Sequence, residues 1–252
     1  MKLTVIGSGV LIPQAGRGNS GYFLETEHHS ILIDGGSGTL RKFPEFNLDY
    51  RKIDTICYSH LHPDHTMDLI PLLFAFKHDP KVQTLDRTLQ IIGPKGFQSF
   101  FNRMMDIFGQ WVLPEDMDIK IKEVTREKIA LTDLNITCNR TIHTDHSITF
   151  RFDDGIGNDI FYSGDTTLCT ELIKSANDAK ILILECSAPD EMKQENHLTP
   201  SECGKIACET KCKKLVLTHF YPEVLKTDIL GTVSEYYNGK IEMAYDGMII
   251  HP

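Results

Sequence analysis

Short apolar runs rich in Val, Ile, Leu and Phe recur along the chain, separated by Gly, Pro, Asn and Asp, and this rhythm predicts many strands and fewer helices. Strands are expected at 2–6, 21–26, 29–33, 53–58, 88–92, 119–123, 128–131, 134–141, 148–152, 159–162, 181–185, 214–218, 240–243 and 248–250. Helices are expected at 38–43, 66–76, 95–108, 167–176, 200–210 and 223–237. The run Ile181-Leu182-Ile183-Leu184 has no polar position, as a strand buried on both faces requires. Such strands need cover on each side, so the pattern predicts an α/β fold: an αββα sandwich of two mixed β-sheets with helices on the outer faces. No linker, repeat or low-complexity tract interrupts it, and residues 1–252 are expected to form one domain.

Phe97, Phe100, Phe101, Met104, Met105, Phe108 and Trp111 recur at helical spacing across 94–111. A helix face packed on a sheet accounts for the spacing. The surplus of aromatics also suits a homodimer contact or a wall of a substrate cleft.

With 252 residues, 41% of them hydrophobic, the chain can bury a full core. Its net charge of −9 argues against extended nucleic acid as a partner, because that affinity comes from Lys and Arg neutralising phosphates. A small anionic substrate fits if bound cations reverse the local potential. The apolar start breaks at Gly7, short of a signal or membrane segment, so a soluble, cytoplasmic protein with no membrane partner is expected. The seven cysteines include no CxxC pair and are expected to be idle reduced thiols. Cys208 and Cys212 share a helix face at i, i+4, which is too few ligands for a structural zinc.

The chemistry concentrates in His60-Leu61-His62-Pro63-Asp64-His65, between a predicted strand and a predicted helix. Imidazole nitrogen and carboxylate oxygen are both good Zn²⁺ ligands, and ligand sites in open α/β folds lie at the carboxyl ends of strands. Further candidates follow other strands: His143 after 134–141, Asp165 after 159–162 and His219 after 214–218. They sort into two metal sites. His60, His62 and His143 suit one cation, Asp64, His65 and His219 the other, with Asp165 bridging. His28, His29, His78 and His251 lack such context and are expected in solvent.

On these residues the chain resembles the metallo-β-lactamase superfamily, and within it the ribonuclease Z branch. Gly7-Ser8-Gly9 through Pro13, Arg17 and Ser20 resembles that branch's first strand and loop. Leu32-Ile33-Asp34-Gly35-Gly36 resembles the first motif, whose Asp orients metal ligands; the His60 to His65 run resembles the second, and His143, Asp165 and His219 the third to fifth. His143 is preferred to His146 because its distance to strand 148–152 matches the family's spacing. Glu185 and His197-Leu198-Thr199 resemble the Glu and His-x-Thr/Ser elements that act together on the leaving group. Ile92-Gly93-Pro94-Lys95-Gly96 resembles a turn where Lys95 meets a phosphate at a helix start or stays solvated. The long basic arm that clamps tRNA in this branch is missing, since the stretch 144–164 holds Arg151 as its one cation.

The resemblance implies a dinuclear metal-dependent phosphodiesterase, with two divalent ions (Zn²⁺, or Mn²⁺ or Fe²⁺). It implies a small, cyclic or single-stranded nucleotide-like substrate, His197, Glu185 and Asp64 as catalytic residues, and Asp34 as the group steadying the ligands. A hydroxide between two cations, its parent water's pKa lowered from about 15.7 toward 7, is the expected nucleophile. Hydrolysis of a lactone, thioester or β-lactam, tRNA 3′-end processing, and a non-catalytic metal-binding role are the alternatives.

Overall fold

The computed structural model describes residues 1–82 and 87–252. The first half of the chain runs through β1 (Lys2–Gly7), β2 (Gly21–Glu25), β3 (Ser30–Ile33), α1 (Thr39–Lys42), β4 (Thr55–Cys57), α2 (Pro63–Thr66), α3 (Leu69–His78), β5 (Arg87–Pro94), α4 (Phe97–Val112) and β6 (Met117–Val124). The second half adds β7 (Glu127–Ala130), β8 (Asn135–Arg140), β9 (Ile148–Asp153), β10 (Asp159–Tyr162), α5 (Thr170–Ala176), β11 (Ile181–Glu185) and α6 (Pro200–Thr210). It ends with β12 (Lys214–Thr218), α7 (Ile229–Ser234), β13 (Lys240–Met243) and β14 (Ile249–Ile250).

These strands form two seven-stranded mixed sheets, ordered β14-β1-β2-β3-β4-β5-β6 and β13-β12-β11-β10-β9-β8-β7. In each, an antiparallel part adjoins a parallel run, β3 to β6 in the first and β10 to β13 in the second. The apolar runs conceal a period of two. Tyr22, Leu24, Ile31, Ile33, Ile181 and Ile183 point into the core between the sheets. Their neighbours Phe23 and Leu32 turn outward onto the layer that holds Leu72 and Phe97, and Leu182 and Leu184 onto the layer that holds Leu172 and Ile206. Helices cover both outer faces, which is the expected αββα arrangement. Among the described residues no helix is long and apolar enough to cross a membrane.

Several elements differ from expectation for local reasons. The helix expected at 66–76 breaks into α2 and α3 because Asp68 turns back to accept the N–H groups of Gly38 and Leu40 at 3.0 and 2.6 Å. The helix expected at 223–237 splits into a short turn, Val224–Lys226, and α7, whose start is set by the Asp228 carboxylate accepting from Gly231 N at 3.0 Å. Cys212 lies beyond the end of α6, where Lys211 adopts φ 54°, so it shares no helix face with the exposed Cys208. Helix α4 buries Phe97, Phe101, Met104 and Val112 and leaves Ile107 and Trp111 in solvent. Its first amides are taken by Glu123, whose Oε1 accepts from Gly96 N and Gln98 N, and Lys95 is exposed beside it.

The fold brings the carboxyl ends of β4, β10, β11 and β12 to one end of the sandwich. Ile148 N donates to Ser59 O at 2.9 Å there and ties the sheets together. The turns leaving that end carry the candidate residues.

Candidate metal centre

The predicted residues enter from four turns. His60 and His62 follow β4, and Pro63 starts α2 so that Asp64 and His65 face the same crevice. His143 lies between β8 and β9, Asp165 after β10 and His219 after β12. The structure brings all seven together. His60, His62, His143 and Asp165 form one group, and Asp64, His65 and His219 a second, with the chosen atoms in each group within 4.8 Å of one another. Asp165 joins them: its Oδ1 lies 3.4 Å from Nε2 of both His65 and His219, and its Oδ2 lies 3.7 and 3.6 Å from Nε2 of His60 and His143.

The outer nitrogens of four imidazoles are held by fixed partners. Asp34 Oδ2 accepts from His65 Nδ1 at 2.8 Å. Ser59 Oγ donates to Asp34 Oδ2 and so is free to accept from His60 Nδ1 at 3.1 Å. Ser187 Oγ donates to Glu185 and accepts in the same way from His219 Nδ1 at 3.0 Å. His143 Nδ1 donates to Asn196 O at 2.9 Å. With each Nδ1 carrying its proton outward, each Nε2 presents a lone pair inward. His62 differs, facing His143 Nε2 through its own Nδ1 at 3.1 Å.

Asp34, fully buried, also accepts from Ser59 N and from the Tyr162 hydroxyl, which orients the whole turn after β4.

Inward-facing lone pairs and carboxylate oxygens repel one another unless a cation lies among them. Consistent with this, His60 Nε2 and Asp165 Oδ1 are buried with no hydrogen-bond partner. Burial holds His60 well below the ordinary imidazole range. Burial also opposes charge on His65, but Asp165 and Asp34 outweigh it and raise that imidazole well above its usual value. The Asp64 carboxyl, pushed up by burial, is pulled down to about 2 by the neighbouring His219 and His65 imidazoles. The donor set of five imidazoles and two carboxylates in two groups fits divalent cations.

A family profile described as the Beta-lactamase superfamily domain matches residues 29–220, a span that includes every one of these residues. The chain belongs to the beta-lactamase superfamily. Within the superfamily it is similar to the probable metallo-hydrolase YhfI of Bacillus subtilis, 27% identical over 251 residues that cover 99% of both chains. The crystal structure of YhfI superimposes with a TM-score of 0.87 at 25% identity, covering 99% of this chain and 98% of that one. Mitochondrial ribonuclease Z 2 of Schizosaccharomyces pombe is 29% identical over 258 residues, 98% of this chain and 38% of that protein. The short form of human tRNase Z shares the fold, with a TM-score of 0.79 at 23% identity over 100% of this chain and 99% of that one. The chain fits the ribonuclease Z-like branch of the superfamily.

Beside the superfamily's His/Asp cluster stands the pair expected from the resemblance. His197 Nδ1 lies 3.0 Å from Glu185 Oε1, and a ring nitrogen of His197 lies within 4.8 Å of ligand atoms of Asp165 and His219. Glu185 is fixed by Thr166 N at 2.7 Å, Leu198 N at 3.3 Å and the Ser187 hydroxyl. Burial lowers the His197 imidazole, but Glu185 outweighs it and raises the group to about 9.

Sequence reasoning did not assign Ser59, Ser187, Tyr162 or Asn196. Ser59 precedes the histidine run and Ser187 lies two residues past Glu185, so adjacency was their only signal. Asn196 acts through its carbonyl, which no residue pattern marks. Arg17 braces the far side: it lies over the Phe220 ring at 4.7 Å and donates to Ser8 Oγ and Ala244 O at 2.6 and 2.7 Å, next to His219.

Proposed function

We propose that this chain is a metal-dependent phosphodiesterase acting on a small, cyclic or single-stranded nucleotide-like diester. The observation that carries the reading is the Glu185-backed imidazole of His197 set against Asp165 and His219. Two divalent cations, Zn²⁺ or alternatively Mn²⁺ or Fe²⁺, held by His60, His62 and His143 and by Asp64, His65 and His219 with Asp165 shared, would supply Lewis-acid polarisation of a phosphoryl oxygen and a more acidic water.

The protein's own residues do the rest. Asp34, Ser59, Ser187 and Asn196 fix the imidazoles so that Nε2 faces inward without reorganisation. His197 donates Nδ1–H to Glu185 and keeps its Nε2 proton for the departing oxygen. An alkoxide leaves poorly without such a proton, whereas a thiolate leaves readily. That contrast favours a diester over a thioester.

A tRNA 3′-processing role draws support from the alignment with the Schizosaccharomyces pombe ribonuclease Z 2. It is the weaker reading, because the β9–β10 hairpin takes up most of residues 144–164 and leaves no room for a tRNA-clamping arm.

Purified, metal-loaded protein assayed on bis(p-nitrophenyl) phosphate, a thioester and a lactone tests the proposal. The diester is expected to turn over fastest by kcat/KM. Faster turnover of the lactone or thioester overturns it, and full metal loading with no turnover on any of them would point to a metal-binding role.

A further inference from the structure

We propose that a groove between β8 and α5 binds the phosphate backbone of a short single-stranded oligonucleotide whose scissile diester lies in the His/Asp cluster. The proposal rests on the phosphodiesterase reading and selects a linear strand over a cyclic mononucleotide as substrate. Two adjoining cavities, of about 230 and about 300 Å³, share Arg126, Arg140 and Glu171 in their walls, and Lys174 lines the larger. All three cations are exposed, and among the described residues none of them forms an ion pair. Arg140 makes one hydrogen bond, to the carbonyl of Asp145 at 2.7 Å.

On a chain of net charge −9, three unneutralised cations around one groove, against the single carboxylate of Glu171, make a local reversal of potential. Guanidinium groups match phosphate oxygens in a two-pronged geometry, so two arginines favour a phosphate ligand over a diffuse anion.

The groove shares its backbone with the cluster. Thr141 and Ile142 line the smaller cavity, Ile142 O accepts from Thr167 N at 2.9 Å, and the hydroxyls of Thr141 and Thr166 meet. The next residues along these two segments are His143 and Asp165. Three residues of chain span at most about 11 Å, which places Arg140 within that reach of His143. A strand rising about 3.4 Å or more per phosphate covers this distance in one to three phosphates. A cyclic mononucleotide has one phosphate and cannot occupy both places.

The test is fluorescence anisotropy of a labelled single-stranded pentanucleotide with phosphorothioate linkages, on the protein as purified, alongside hydrolysis of the unmodified strand. Three contacts at about 0.7 each give an expected slope of log affinity against log salt near −2, or roughly 15-fold weaker binding from about 50 to about 200 mM salt. Arg126→Gln, Arg140→Gln and Lys174→Gln together are expected to remove most of that slope and to weaken binding about 10-fold at low salt. Lys52→Gln, Lys81→Gln and Lys213→Gln, exposed and outside the groove, remove the same charge and are expected to leave binding within about two-fold.

Equal weakening in both triple variants, or equally tight binding of a penta-aspartate peptide, overturns the groove. Strand hydrolysis whose KM is unmoved by the groove variant also overturns it while the phosphodiesterase reading stands. Groove-dependent binding without hydrolysis of any diester leaves the groove standing and overturns the activity.

Discussion

Asp34 and His219 adopt left-handed backbone, with φ of 52° and 59°, a conformation that costs a non-glycine residue about 1–3 kcal/mol. Both are held there by bonds that also aim imidazoles. Asp34 accepts from Ser59, His65 and Tyr162, and Ser187 Oγ accepts from His219 Nδ1 at 3.0 Å. Replacing Asp34 by Ala is therefore expected to lower metal affinity about 10- to 100-fold, read as metal retained against a competing chelator. Retention equal to that of the parent protein would contradict the orienting role. His62→Ala and Asp165→Ala are expected to abolish metal-dependent hydrolysis and lower metal content. His197→Ala is expected to keep its metal and to slow cleavage of an alkyl diester about 10²- to 10⁴-fold, with a smaller loss on bis(p-nitrophenyl) phosphate, whose leaving group needs less protonation. Equal loss on the two substrates, or metal loss matching that of Asp165→Ala, would remove His197 from the acid role.

Among the elements, the turns at the carboxyl ends of the strands matter more than the strands themselves. Gly36 shows why: a Cβ there would lie 2.0 Å from the carbonyl oxygen of Asp64, so a glycine is what lets α2 press its Asp64 and His65 against the turn after β3. Gly36→Ala is expected to destabilise the protein by about 1–3 kcal/mol and to lower metal content together with stability, as followed by denaturant unfolding and metal analysis. Unchanged stability would mean that α2 has more freedom than the packing indicates. Hydrophobic periodicity misses a helix boundary where a side chain captures backbone N–H groups. Asp68 and Asp228 each interrupt an amphipathic pattern by capturing backbone N–H groups, and hydrophobic periodicity carries no record of such bonds.

For the whole molecule, the inter-sheet core fixes the separation of the two halves that supply the cluster. Phe150 is fully buried there, and Phe150→Ala is expected to cost about 3–5 kcal/mol in unfolding free energy. Cations that bind the folded cluster stabilise the fold by mass action, about 2.7 kcal/mol at 100 times their Kd. Chelation is therefore expected to lower Tm by about 5–10 °C and re-addition of metal to restore it, measured by calorimetry. A Tm indifferent to chelation would show that the cluster binds no cation in the folded state.

The sequence by itself determined the αββα class and the residues to watch. Apolar runs must be covered on both faces, and the crowding of imidazole and carboxylate after a strand is legible without coordinates. Its motif order also placed Asp34, Glu185 and His197 beside the histidines. What only the tertiary structure decided is which atom of each side chain faces which partner. The Nδ1 contacts of His60, His143 and His219 run to Ser59, Asn196 and Ser187, and the cations of Arg126, Arg140 and Lys174 gather on one groove. These pairings join residues from separate turns through hydrogen bonds and packing of a few ångströms, and such contacts exist only after both sheets have closed on their common core.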